Sequence, residues 1–201
     1  MKVRQARALE TRAKIVAAAE KLISEKGFDA VQIIDITNEA GVGKGSFYTY
    51  FKRKEDVVTE IAQTKFESIH AQSERQEGDI CSRIMTFLTG SIQYIAETGI
   101  RIAQQWVKET ASPDNQDGVR KLIYDRQVIW SLLEKAVENG ELSKRTPIEQ
   151  LTYWIASEYY GIVLCWSITD GENDPVSAIR DFCQGMLKGY LKQYMMQESE
   201  Q

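Results

Sequence analysis

Apolar residues in this chain recur every three to four positions over long segments and almost never alternate with polar ones, which predicts an all-α protein. From Ala6 to Lys26, Leu9, Ile15, Val16, Ala19, Leu22 and Ile23 share one helical face and basic residues the other, predicting a first helix closed by Gly27. A short helix over "IDITNEA", a tight turn at "GVG" and a second short helix from about Lys44 to Phe51 follow. A longer helix is expected from Glu55 to Gln72, with Glu55 and Asp56 in its first turn, where carboxylates suit the positive end of the helix dipole.

The polar stretch "SERQEGD" is the expected boundary between a front domain and a larger body. The body's periodicity predicts helices over Ile80–Glu97, 100–110 ("IRIAQQWVKET"), Val119–Asn139, about 148–169, and from Asp174-Pro175 to about Met196. A break around Pro113 separates the second and third. Thr146-Pro147-Ile148-Glu149 reads as a capping box with proline in the first turn. The expected division is residues 1–54, a three-helix front domain; 55–78, a linker helix; and 79–201, a helical bundle.

Composition narrows the chemistry. An apolar fraction of 43% and a charged fraction of 27% are ordinary for a folded soluble protein, so disorder is not the main expectation. The charged N-terminus lacks the apolar run of a signal peptide. The most apolar segment, Tyr153–Thr169, carries Glu158 at its centre and reads as a buried helix, so no membrane partner and a cytoplasmic location are expected. Cys81, Cys165 and Cys183 are far apart, without metal-ligand spacing, and are expected to be small buried hydrophobes. With His70 the only histidine, no catalytic residue, metal site or cofactor is expected. The net charge of −4 hides an asymmetry: residues 1–54 carry 11 Lys/Arg against 6 Asp/Glu, net +5, leaving −9 for the rest. A basic front on an acidic body suggests that only the front meets a polyanion.

The stretch "GVGKGSFYTYFKRKED" joins these threads. Two short helices joined by a glycine turn and preceded by a basic helix have the outline of a helix-turn-helix, whose second helix must present one apolar edge to its domain and one polar edge to a DNA groove. Phe47 and Phe51, four apart, are expected to anchor that helix on Ile36, Ala40 and Val42. Lys44, Ser46, Tyr48, Thr49 and Tyr50 are left to point elsewhere, and Gly43 and Gly45 remove bulk where backbone N–H groups approach a phosphate.

"ITNEAGVGKGSFYTYFKRKEDVV", preceded by "IVAAAEKLISEKGFDAVQI", closely resembles the DNA-binding domain of the TetR-like family of bacterial transcriptional regulators, over about Arg12 to Ile61. The resemblance implies that Lys44, Gly45 and Ser46 open the recognition helix and meet bases or phosphates. It puts Tyr48 and Tyr50 on the sugar-phosphate backbone, Thr49 near the bases and Lys54 on a phosphate beyond the helix. Two positions depart from the family pattern: a hydroxyl is common near Gln32 and at Gly43, and neither residue offers one. The resemblance also implies a body that dimerises through its last two long helices and encloses a small-molecule effector, and a homodimer that binds a palindromic operator in double-stranded DNA.

All four tryptophans lie in the body, and Trp106, Tyr124, Trp130 and Tyr159 are candidate pocket lining, although such side chains also fill ordinary cores. Glu109, Asp125 and Glu158 could offer a charge to a ligand or pair internally. The function expected is therefore a repressor released by a small, largely apolar or aromatic effector. The alternatives are the same DNA-binding build answering to a protein partner, or acting as an activator; a helical enzyme is remote.

Overall fold

The computed structural model describes residues 2–110 and 116–196, with side chains at 2–5, 102, 105, 109, 110, 116 and 117 excepted. The expected break around Pro113 and the side chain of Glu109 lie outside the described residues. All the elements described are helical, and the only extended pairing among them is an isolated antiparallel bridge between Leu142 and Met195. The chain divides into two compact units, Met1–Glu67 and Ser68–Gln201.

The first unit holds α1 (Lys2–Lys26), α2 (Ile33–Glu39), α3 (Lys44–Tyr50) and the first part of α4 (Lys54–Arg75), which runs unbroken past the division. Its core comprises Ile15, Ala18, Ala19, Leu22, Val31, Ile36, Phe47, Phe51, Val57 and Ile61. Because that core begins at Ile15, Leu9, expected on the inner face, is 69% exposed. Helix α2 ends at the C-cap Ala40 in a Schellman turn: Gly41 N–H donates to Asn38 O (3.1 Å) and Val42 N–H to Thr37 O (2.9 Å), with Gly41 at φ +65°. This reversal aims α3 across α2, and only glycine adopts it without strain.

The second unit packs α5 (Ile80–Thr98) against α6 (Ile100–Thr110), α7 (Gln116–Glu138) and α9 (Pro175–Asp181), and α8 (Ile148–Ile168) against α6, α7 and α9. Its core is aliphatic, with Ile84, Leu88, Ile92, Ile129, Leu133, Ile155, Val163 and Ile179 all buried. A Cβ on Gly90 of α5 would stand 3.0 Å from Ile69 Cγ2 of α4, so glycine permits the close approach of those two helices.

Several expectations are corrected. Thr146 does not cap α8: its hydroxyl donates to Ser143 O (2.6 Å), and Pro147 occupies the N-cap position, because the Ser143–Thr146 turn claims the threonine first. The last helix is not continuous. A π segment, Phe182–Leu187, separates α9 from a four-residue α10 (Lys188–Leu191). Its buried residues Ile179, Cys183, Leu187 and Leu191 recur every four positions. In a regular α-helix that spacing drifts by about 40° per step, and the wider π turn holds the residues on one face. Cys81 and Cys183 are buried, and burial pushes each thiol up to about 12, but Cys165 is exposed on the same stripe of α8 as Leu164 and Ile168.

Replacing Gly41 by alanine forces a Cβ into the left-handed region and should destabilise the front unit by about 1–2 kcal/mol, although no atom lies within 4 Å of the new Cβ. Urea unfolding followed by circular dichroism measures it, and an unchanged midpoint would remove the strain argument.

Candidate nucleic-acid interface and buried polar cluster

Helix α3 has seven residues, too few to hold itself in water. It is held by Phe47, fully buried, whose ring lies 5.6 Å from that of Phe51. Truncating such a side chain costs about 3–5 kcal/mol. The other faces of α3 turn outward. Lys44, Gly45 and Thr49 are exposed, Tyr48 is 52% exposed, and Ser46 is half-buried. Tyr50 is half-buried with its body against the core. The Thr49 hydroxyl donates to Gly45 O (3.1 Å), leaving its oxygen as an acceptor.

Lys54 is differently placed. Its ammonium donates to Phe28 O (2.6 Å) and Val31 O (2.7 Å) and stands 3.9 Å from the centre of the Phe28 ring, stapling the α1–α2 connection to the start of α4. A phosphate at this position would share an ammonium already committed to two carbonyls. Asp56 closes the same corner by accepting from Lys52 N–H and Arg53 N–H, both at 2.9 Å. Arg12 of α1 pairs with Glu60 of α4 (2.6 Å), and Lys21 of α1 with Glu39 of α2 (2.6 Å). Both pairs are too exposed to contribute much stability.

The two missing hydroxyls are handled in different ways. At Gln32 the cap is supplied from inside the helix, where Asp35 Oδ2 accepts from Gln32 N–H (2.8 Å). At Gly43, the N-cap of α3, no side-chain cap exists; φ is −72° and an added Cβ would meet nothing within 4 Å. Gly43→Ser should therefore leave the fold unchanged, raise stability by a few tenths of a kcal/mol and tighten DNA binding several-fold. Fluorescence anisotropy on labelled duplex checks this, and a weakened complex would show that the backbone at Gly43 needs the clearance.

In the second unit three of the four candidate lining residues gather around a buried ion pair. Lys121 of α7 donates to both carboxylate oxygens of Asp125 one turn on, and the Tyr160 hydroxyl donates to Asp125 Oδ2 (2.9 Å). Trp106 stacks on Tyr160, with centroids 6.1 Å apart and planes 22° apart. The rings of Tyr124 and Tyr159 lie 6.0 and 5.8 Å from the Lys121 ammonium. His70 of α4 meets Tyr124 edge-on at 6.3 Å. Trp130 is elsewhere, on a surface groove with Pro147, Tyr153 and Trp154. Glu158 is half-buried.

Burial pushes the Asp125 carboxyl up and the Lys121 ammonium down, each opposed by the attraction of the other. Burial also raises the hydroxyls of Tyr159 and Tyr160, so both are neutral donors. Lys121 and Ser91 were not singled out from the sequence, since a lysine four residues before an aspartate reads as a solvated surface pair and a lone serine gives no signal. Among the described residues no cluster of three or more potential metal ligands occurs, and no helix is long and apolar enough to cross a membrane.

Asp125→Ala removes the carboxylate that accepts from the buried Lys121 ammonium and should cost about 3–5 kcal/mol. Replacing the set together (Lys121→Met, Asp125→Leu, Tyr160→Phe) should be much milder. Chemical denaturation of both variants decides it; equal losses would mean that the cost is packing, not charge.

Residues 15–61 match the model of the bacterial regulatory proteins of the tetR family. The chain is 46% identical over 50 residues to the uncharacterised HTH-type transcriptional regulator YvdT of Bacillus subtilis, which is 25% of this chain and 26% of that one. It is 21% identical over 184 residues to the fatty acid metabolism regulator protein of the same organism, covering 88% of this chain and 93% of that one. Among solved structures it resembles Thermus thermophilus FadR, a TetR-family transcriptional repressor in complex with lauroyl-CoA, with a TM-score of 0.63, 20% identity, and 94% and 98% of the two chains covered.

Proposed function

We propose, from the membership of this chain in the TetR family of bacterial transcriptional regulators through residues 15–61, that it is a cytoplasmic, effector-released repressor binding a palindromic operator as a homodimer. The observation that carries the DNA half is the division of α3, in which Phe47 is sunk in the core while Lys44, Gly45, Tyr48 and Thr49 are left in solvent. That is the arrangement of a helix held from behind and read from in front. In this reading Lys44, Gly45 and Ser46 meet bases or phosphates, Tyr48 and Tyr50 grip the sugar-phosphate backbone, and Lys54 mainly sets the position of α3.

The dimer surface is proposed on α8 and the π segment that continues α9. Leu164, Cys165, Ile168 (72% exposed) and Met186 (69% exposed) leave apolar groups in water, and nothing lies within 4 Å of a Cβ built on Gly161, Gly185 or Gly189. A face so apolar and so free of bulk suits a second copy packed helix to helix. Two recognition helices about 34 Å apart would then read successive major grooves.

The effector is proposed to bind among Trp106, Tyr124 and Tyr159, with Trp130 outside the site. The lauroyl-CoA bound by the Thermus thermophilus repressor supports a largely apolar ligand. Helix α4 carries His70 at one end and Lys54 at the other, so a ligand that moves His70 acts on the element that begins beside α3. A thousandfold loss of DNA affinity requires a differential of about 4 kcal/mol.

Selection from random duplexes should return an inverted repeat. On that DNA, Lys44→Ala should weaken binding and lower the slope of log K against log salt by about one. Ile168→Glu with Met186→Glu should give monomers by sedimentation and abolish tight binding. Asymmetric selected sites, or an unchanged salt slope, would overturn the corresponding half.

A further inference from the structure

Positive charge is spread unevenly along the front of the chain. Residues 2–14 carry five Lys/Arg (Lys2, Arg4, Arg7, Arg12 and Lys14) against Glu10 alone, net +4, which leaves only +1 of the front's +5 for residues 15–54. Half of the six cations in that balanced part are already committed. Lys21 pairs with Glu39, Arg53 with Asp56, and Lys54 donates to two carbonyls. DNA-binding proteins draw much of their affinity from neutralising phosphates. Here most of the net positive charge lies ahead of residues 15–61, the stretch that matches the family model.

The segment that carries this charge is part of α1 but not of the core. Helix α1 begins at Lys2, yet its first buried residue among the described side chains is Ile15, and Arg7, Leu9, Arg12 and Lys14 are exposed. These residues stay helical without burying anything because they extend a helix already nucleated in the core, include Ala6, Ala8 and Ala13, and hold the Glu10–Lys14 pair (2.8 Å) with glutamate on the N-terminal side. At 1.5 Å per residue they form a rod about 20 Å long. The rod leaves the domain beside the end of α3. The Arg12 guanidinium lies 5.3 Å from the centre of the Phe51 ring and pairs with Glu60, while Phe51 is the C-cap of α3 and is followed by exposed Lys52 and Arg53. Cations from α1 and from the α3–α4 connection therefore meet at one end of α3. A helix that lies on a membrane needs a broad apolar face, and residues 6–14 offer Leu9 as their one large apolar side chain.

We propose that residues 2–14 are a cationic arm that binds the DNA phosphates flanking the site entered by α3, with Lys2, Arg4 and Arg7 as the contacts and Arg12, held by Glu60 and the Phe51 ring, as the anchor that sets the direction of the arm. This rests on the reading of the front unit as DNA-binding and adds a second surface to it. Contacts to phosphate fix position and strength but carry no base information. The arm therefore lengthens the bound DNA by about 20 Å, or about six base pairs, without changing which sequence is preferred.

The test is fluorescence anisotropy of the full chain on selected operator duplex over a salt series. Lys2→Ala with Arg4→Ala and Arg7→Ala should weaken binding at least about tenfold and lower the slope of log K against log salt by about two to three per protomer, with the preference for operator over scrambled duplex unchanged. Removing about six flanking base pairs from each end of the duplex should weaken the parent about as much as the triple substitution does and leave the triple variant unaffected. Because alanine favours a helix and the arm buries nothing, the triple variant should melt with the parent. An unchanged slope, an altered sequence preference, a parent indifferent to the flanks or a lower melting temperature would each overturn the proposal. So would a triple variant that keeps operator binding but loses a parental affinity for phosphatidylglycerol vesicles, since the arm would then serve a membrane surface. A parent that binds duplex as well without the arm's charges refutes the arm alone, whereas a parent that binds no duplex refutes the reading of function beneath it.

Discussion

The front unit depends on how a seven-residue helix is kept in place. Isolated helices of this length do not persist in water, so α3 exists only because Phe47 and Phe51 are buried against α1 and α2 and because Gly41 turns the chain at the required angle. Every outward side chain of α3 inherits its position from those contacts. The surrounding polar links work to the same end. Lys54 bonded to Phe28 and Val31, and Asp56 accepting from Lys52 and Arg53, fix where α3 stops and α4 begins. A basic residue that looks free to meet phosphate in the sequence is partly spent on holding the frame.

The second unit obeys a different constraint. Most of its core is aliphatic and sheds water without selecting any one molecule. A charged exception among the described residues is the Lys121–Asp125–Tyr160 set, which costs desolvation energy and recovers it through close pairing. Such a set contributes little net stability compared with an apolar replacement. Its effect is to fix the direction of polar atoms inside an otherwise undirected core.

Much of the fold was legible because helical periodicity and glycine stops are local signals. Gly27, Gly41 and Gly140 all end helices at positive φ, and the polar stretch around Gly78 lies between α4 and α5. Two failures have physical causes. Thr146 carries the right sequence for a cap, but a competing turn with Ser143 takes its hydroxyl. The π segment was readable in principle from the four-residue spacing of Ile179, Cys183, Leu187 and Leu191, a period too long for a regular α-helix. The outward face of α3 was legible for the same local reason, since Phe47 and Phe51 fix which side faces in. The buried cluster was not. Lys121 and Asp125 lie four apart on one helix, as thousands of solvated pairs do, and only the packing of α5, α6 and α8 around them makes the pair internal. Trp130 and Trp106 both fall on amphipathic helices of the second unit, yet one is on a surface groove and the other stacks on Tyr160.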